Sequence, residues 1–196
     1  MTLTLITVLA ASLMTQWRTS PEAHFLTAEE RRQCEIVTSD DEAQRFIDEF
    51  RARRGADFAN EVQKRAAIVD ERLALGEVKA STTLRGRIVM LLGAPAEVIV
   101  KPIPVATVGN VSHAVATRKG GASGDTAPQP NLIGNGAGWV DYTFRYAANP
   151  ALGIGAEGFT VVVQANGASG RDRLKYRSQK RQLDAILEAA ARRMIH

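Results

Sequence analysis

The sequence predicts an α+β fold in which N-terminal helices pack on a small, mainly antiparallel sheet, with a long Gly-rich insertion and a C-terminal helix. Three observations predict it. Helix-capping residues stand before amphipathic stretches in the first third of the chain, short β-branched and aromatic runs replace them after Gly76, and helical spacing returns in the last twenty or so residues. With 196 residues, 45% of them hydrophobic and 23% charged, the chain suits one core of ordinary size and excludes wholesale disorder.

The first helix is expected after Thr27, because Thr27 and Glu30 have the spacing of a capping box. Ser39 with Glu42 repeats the device, and Asp40 and Asp41 suit the positive end of a helix dipole. From there Ala43, Phe46, Ile47 and Phe50 make one apolar stripe, while Arg51, Arg53 and Arg54 lie at the negative end and Gly55 follows as a stop. A third helix is expected from Phe58 to Leu75, burying Phe58, Val62, Val69 and Leu73, with Gly76 ending it.

Arg87 to Leu92 reads as a short apolar strand. The turn residues Gly93 to Ala96 and the β-branched Val98 to Val100 then complete a hairpin. Trp139 to Tyr146 and Phe159 to Gln164 are the further strands, the former offering Trp139, Tyr142, Phe144 and Tyr146 for packing. Residues 119–138 carry many glycines with Pro128 and Pro130, and read as a flexible insertion: a solvated loop first, a partner-binding loop second. Leu183, Ile186, Leu187, Ala190 and Met194 form the stripe of an amphipathic terminal helix. Residues 1–16 are then an apolar N-terminal segment, 17–174 the domain and 175–196 the basic C-terminal helix.

Thr2 to Met14 carries no charge. It is too short for an ordinary membrane span, so no stable transmembrane segment is expected; its length is that of a signal peptide's apolar core, and Ala10, Ala11 and Ser12 are small residues near its end. The basic start of such a signal is missing. Export is the leading reading, with a buried strand or helix of the fold as the alternative, and the location follows: periplasmic or envelope-associated, otherwise cytoplasmic.

The 25 basic and 21 acidic residues leave +4, which favours anionic surfaces without demanding them. Cys34 has no partner for an internal disulfide and no Cys or His at metal-ligand spacing, and reads as a half-buried small apolar residue on a helix. His24, His113 and His196 lie beside the apolar segment, in a loop-like region and at the chain end, so none is placed as the oriented base that a Ser or Cys nucleophile needs. Asp40 with Asp41, and Asp48 with Glu49, are explained by capping and solvation. The glycines of 120–124 and 134–138 lack the Lys and hydroxyl ending of a phosphate loop. No catalytic, cofactor-binding or metal-ligating residue is therefore named.

The segment TLRGRIVMLLGAPAE, Thr83 to Glu97, resembles the core of the GWxTD family of bacterial proteins, in which the naming motif stands immediately before a strand of the form RGRxYxLLGxPxE. Thr83, Arg85, Gly86, Arg87, Leu91, Leu92, Gly93, Pro95 and Glu97 match. FLTAEER with DDEAQRFIDEFRARR is similar to the family's paired N-terminal helices, and WVDYTFRY, beginning at Trp139, to its aromatic strand. Of the five positions before Arg85, Ala80 to Leu84, only Thr83 fits the naming motif, and Arg51 stands where the family commonly has tryptophan. The LLGxP stretch with the aromatic strand is more loosely similar to small lipoproteins that assist outer-membrane protein assembly. The resemblance implies a small α+β fold and export to the cell envelope, and it brings no established activity.

Gly86 is expected to permit close backbone approach, Gly93 to adopt positive φ and Pro95 to preset a turn. On an extended segment Arg85 and Arg87 would share a face, where they either pair with acidic residues of the domain, the favoured reading, or clamp a carboxylate. The leading function is a non-enzymatic, exported domain that binds a protein partner through its aromatic strand and insertion. The alternatives are an anionic-polymer or nucleic-acid binder using Arg171, Arg173, Lys175, Arg177, Lys180 and Arg181, and a hydrolase with a cleft near Arg85, Arg87 and Glu97. Nucleic acid is the less favoured partner.

Overall fold

Both expected capping boxes form. In the computed structural model, which describes residues 13–103 and 138–195, the Thr27 hydroxyl accepts from the Glu30 N–H at 3.2 Å and the Glu30 carboxylate accepts from the Thr27 N–H at 2.9 Å, opening α1 (Ala28–Glu35). Ser39 and Glu42 open α2 (Asp40–Ala52) in the same way, and its buried residues are the predicted Ala43, Phe46, Ile47 and Phe50. α3 (Phe58–Arg72) buries Phe58, Val62, Ala66 and Val69, with Leu73 buried just beyond it.

The expected hairpin is not there. Leu84–Leu92 is a helix, α4, capped by Thr83, whose side chain accepts from the Gly86 N–H, and closed by Gly93 at φ +80°. Thr83 is an N-cap with glycine, not Glu or Gln, three residues on, so the box that marked α1 and α2 is missing from the sequence here. The helix also buries Arg85, Gly86, Ile88, Met90 and Leu91, residues that point to several sides of its axis. A helix covered all round shows a continuous apolar run, and over a short stretch that run is indistinguishable from a buried strand.

The sheet follows: β1 (Glu97–Pro102), β2 (Trp139–Tyr146), β3 (Phe159–Asn166) and β4 (Asp172–Leu174), antiparallel throughout in the order β1-β2-β3-β4. Alternation sends Val140, Tyr142, Phe144 and Tyr146 of β2 and Phe159, Val161, Val163 and Ala165 of β3 into the core. Asp172, opposite Ala165, shares that inner face. Glu97, Thr143, Arg145, Thr160 and Gln164 are on the outer one. The expected Gly-rich insertion falls, but for Gly138, outside the described residues. α5 (Lys180–Arg192) buries Leu183, Ile186, Leu187, Ala190 and Ala191, with Met194 packed beyond its end.

α4 is the central helix. It packs on α3, on α5, on β3 and β4, and on the 3-10 turns Pro21–Phe25 and Ala80–Thr82. The N-terminal helices thus reach the sheet through α4. Residues 13–18 are helical and belong to the core: Met14 and Trp17 are buried, and the Trp17 ring meets Phe46 and Phe50 edge-on. The boundary expected at residue 16 therefore falls within a packed helix. No helix among the described residues is long and apolar enough to cross a membrane.

Gly86 is where α4 and the Ala80–Thr82 turn come together. A Cβ at Gly86 would lie 1.9 Å from the Ala80 carbonyl oxygen and 2.6 Å from its carbon. Alanine normally favours a helix over glycine by about 1 kcal/mol, but here overpacking dominates. Gly86→Ala is expected to lower the unfolding free energy by about 2–3 kcal/mol in urea titrations; a neutral or stabilised variant would show that this close approach does not exist.

Candidate functional site

Because residues 84–92 are helical, Arg85 and Arg87 lie about 200° apart around the axis instead of on one face. Arg85 runs into the core. Its side chain is fully buried and its Nη1 donates to Asp172 Oδ1 at 2.5 Å, while its own backbone N–H donates to Asp172 Oδ2 at 2.9 Å. Its Nε donates to the Leu73 carbonyl at the end of α3, and the guanidinium lies over the Tyr142 ring. The favoured reading of an internal ion pair holds for Arg85. Its partner sits on β4, a strand of three residues, too short for alternation to mark in the sequence.

Arg87 leaves α4 on the other side and lines a cleft of about 320 Å³ with Arg18, Ala23, His24, Leu26, Arg31, Cys34 and Glu35. Arg18 comes from the 13–18 helix, His24 from the Pro21–Phe25 turn, and Arg31 from α1. Arg18 donates from Nε to Cys34 Sγ at 3.1 Å and from Nη2 to the Cys34 carbonyl. Cys34 is fully buried, not half-buried, with its thiol 3.3 Å from Met14 Sδ. Arg31 pairs with Glu188 of α5 at 2.9 Å. Arg87 has no such partner among the described residues, and its Nε is buried without an acceptor. Burial lowers its pKa, and the neighbouring Arg31 charge adds to this, against the attraction of Asp184 and Glu188.

His24 sits at the base of this arrangement with its Nε2 2.6 Å from the Ser81 carbonyl oxygen. A carbonyl only accepts, so Nε2 carries the proton and Nδ1 has the lone pair of the neutral ring. Burial drives its pKa down to about 4; the Ser81 bond opposes this and the Arg87 charge reinforces it. Local spacing assigns His24 no role because its neighbours in space come from residues 18 to 87.

The other expected site residues separate. Thr83 and Gly93 cap α4, and Pro95 lies in the link to β1. Glu97 pairs across the sheet with Arg145 at 2.7 Å. No cleft joins Arg85, Arg87 and Glu97: one is in the core, one is in the N-terminal cleft and one is on the outer sheet face. Trp139 is half-buried, with the Arg173 guanidinium 4.4 Å from its ring centre. Lys175 pairs with Asp141 and Lys180 with Asp184, each at 2.5 Å. Of the basic run, Arg171, Arg177 and Arg181 are exposed and make no ion pair among the described residues. Tyr142, Phe144 and Tyr146 are buried on a strand paired on both sides, so of the four aromatic residues only Trp139 reaches the surface, on the outer face with Thr143 and Arg145. No three His, Cys, Asp or Glu side chains among the described residues are grouped to hold a metal ion.

Asp172→Asn, which leaves the buried Arg85 charge unpaired, is expected to cost about 3–5 kcal/mol in chemical denaturation; a loss under about 1 kcal/mol would mean that the pair is not formed in solution. His24 supplies a pH signature. Its folded pKa, about 4, lies below the ordinary 6.5, so the unfolded chain binds more protons between these values. The contribution is therefore complete above 6.5 and lost as pH falls toward 4. Stability measured across that window should fall with acid, and His24→Gln should flatten the slope. Comparison with protein-family models, curated proteins and solved structures finds no match to this chain.

Proposed function

We propose that the chain is a non-enzymatic binding domain of the bacterial cell envelope. The observation that carries the non-enzymatic half of this reading is how the buried carboxylates are used. Glu22 receives Nε and Nη2 of Arg51 at 2.9 and 3.0 Å, and Glu30 receives both terminal nitrogens of Arg54 at 2.9 and 2.6 Å. Asp141 pairs with Lys175 and Asp172 with Arg85. Carboxylates committed in this way direct their lone pairs at structural partners instead of at a substrate, whereas an acid–base catalyst must face the proton it moves. Arg51, which departs from the family's usual tryptophan, is explained by Glu22.

Export and membership of the GWxTD family are the other half. They rest on the apolar start and on the string from Arg85 to Glu97, which matches a family strand in sequence but folds here as a helix followed by the start of β1. Met14 and Trp17 are part of the core, so processing that preserves the fold cuts before residue 13. A second reading, an anionic polymer on Arg171, Arg177 and Arg181, is favoured by the exposure of these three side chains. It predicts affinity for polyanions that falls steeply with salt and is abolished by reversing those charges.

N-terminal sequencing of the natural protein from fractionated cells is expected to find it in the envelope fraction with a start near Ser12. A cytoplasmic protein retaining Met1, with no specific partner recovered from envelope extracts, would overturn the proposal.

A further inference from the structure

We propose that the cleft between the Pro21–Phe25 turn, α1 and α4 is a binding site for a small ligand bearing a dianionic oxyanion of the phosphate type. This requires neither export nor a protein partner, and so stands apart from the envelope reading. Three guanidinium groups and one carboxylate line the cleft, and with His24 neutral the lining carries two positive charges in excess, that of Arg31 being met from outside the lining by Glu188.

The acidic residues nearest Arg87 are committed elsewhere. Asp184 accepts from Lys180, and Glu188 bonds Arg31, Arg192 and the Ala28 N–H at the start of α1. Arg87 is thus a half-buried cation, its Nε shut off from water, with no counter-ion at bonding distance among the described residues, and burying an unpaired charge is costly. An oxyanion in the cleft supplies the missing charge. Planar guanidinium forks match the oxygens of phosphate in pairs, and forks arriving from different elements suit a tetrahedral group better than a flat one.

His24 fits the same chemistry. With Nε2–H held by Ser81, protonation at Nδ1 makes the ring a further donor, and a nearby anion favours that protonated form. Glu35, the one carboxylate in the lining, would repel a second anionic group but accept from a ligand hydroxyl or ammonium. A volume of about 320 Å³ lies at the lower end for small-molecule sites, which favours a compact ligand over a polymer.

The test titrates the full-length protein with inorganic phosphate and with sulfate at constant ionic strength, following the thermal midpoint and the NMR signals of the His24 ring. Saturable stabilisation with His24 shifts is expected from both dianions, and acetate should do at least tenfold worse. Arg87→Gln should weaken the binding tenfold or more, Arg31→Gln should weaken it too, and Arg171→Gln/Arg177→Gln/Arg181→Gln should leave it unchanged. Titration that never saturates, acetate as effective as sulfate, or binding lost only in the triple variant would each overturn the site. Should Arg87→Gln fail to fold, the Arg31→Gln variant and the His24 shifts of the unaltered protein decide the matter.

Discussion

Arg85 brings a permanent positive charge into the centre of the molecule, where its side chain has no exposure, and the carboxylate of Asp172 meets it there from β4. Neither charge would be tolerable alone in that place, since removing an ion from water costs several kcal/mol that only a close, hydrogen-bonded partner offsets. The pair therefore acts as a constraint. It ties the first turn of α4 to the last strand of the sheet, and through Leu73 it fixes the end of α3 to the same point. With Gly86 pressed on the Ala80 carbonyl one residue later, α4 has little freedom to shift or turn.

A second buried arginine organises the N-terminal side. Arg54 follows the end of α2 and reaches Glu30 of α1, the Phe25 carbonyl and the Phe50 carbonyl, with its guanidinium 3.8 Å from the centre of the Phe50 ring. Burial pushes the Glu30 carboxyl up, but the Arg54 and Thr27 hydrogen bonds and the Arg54 charge outweigh it and hold the group below its ordinary value. The residue that closes the capping box of α1 is thus also the counter-ion of Arg54. One carboxylate does local and long-range work together, so α1 and α2 are fixed to each other by the same atoms that start α1.

Arg54 and Arg85 each leave one buried nitrogen unbonded, Nε and Nη2, as Arg87 does its Nε, so what sets Arg87 apart is the counter-ion. All three are embedded in the helical layer, yet only Arg87 lacks a carboxylate, and it faces the cleft instead of a neighbouring element. The outer sheet face shows the opposite economy. Glu97 with Arg145, Asp141 with Lys175 and Gln164, and Arg173 over Trp139 satisfy one another, leaving a polar surface of mixed sign. What distinguishes the cleft is its unbalanced charge in a concave setting, where low-dielectric walls strengthen the field acting on an incoming anion.

What the sequence by itself determined is what local rules decide. Thr27 and Ser39 with their glutamates placed two helix starts, the stripe from Ala43 to Phe50 identified the buried face of α2, and alternation in Trp139 to Tyr146 and Phe159 to Gln164 marked the central strands. Each of these elements has one side in solvent or a cap within four residues, so its pattern is written within a short window. Only the tertiary structure decided that residues 84–92 are helical, because a helix wrapped by α3, α5 and the sheet has no exposed side to produce a stripe. It alone decided the partners of Arg85 and Arg54, which lie 87 and 24 residues away, and the meeting of Arg18, His24, Arg31 and Arg87 around one cleft. Charge interacts through space without regard to chain position, and a sequence shows only how many charges there are until the fold brings them together.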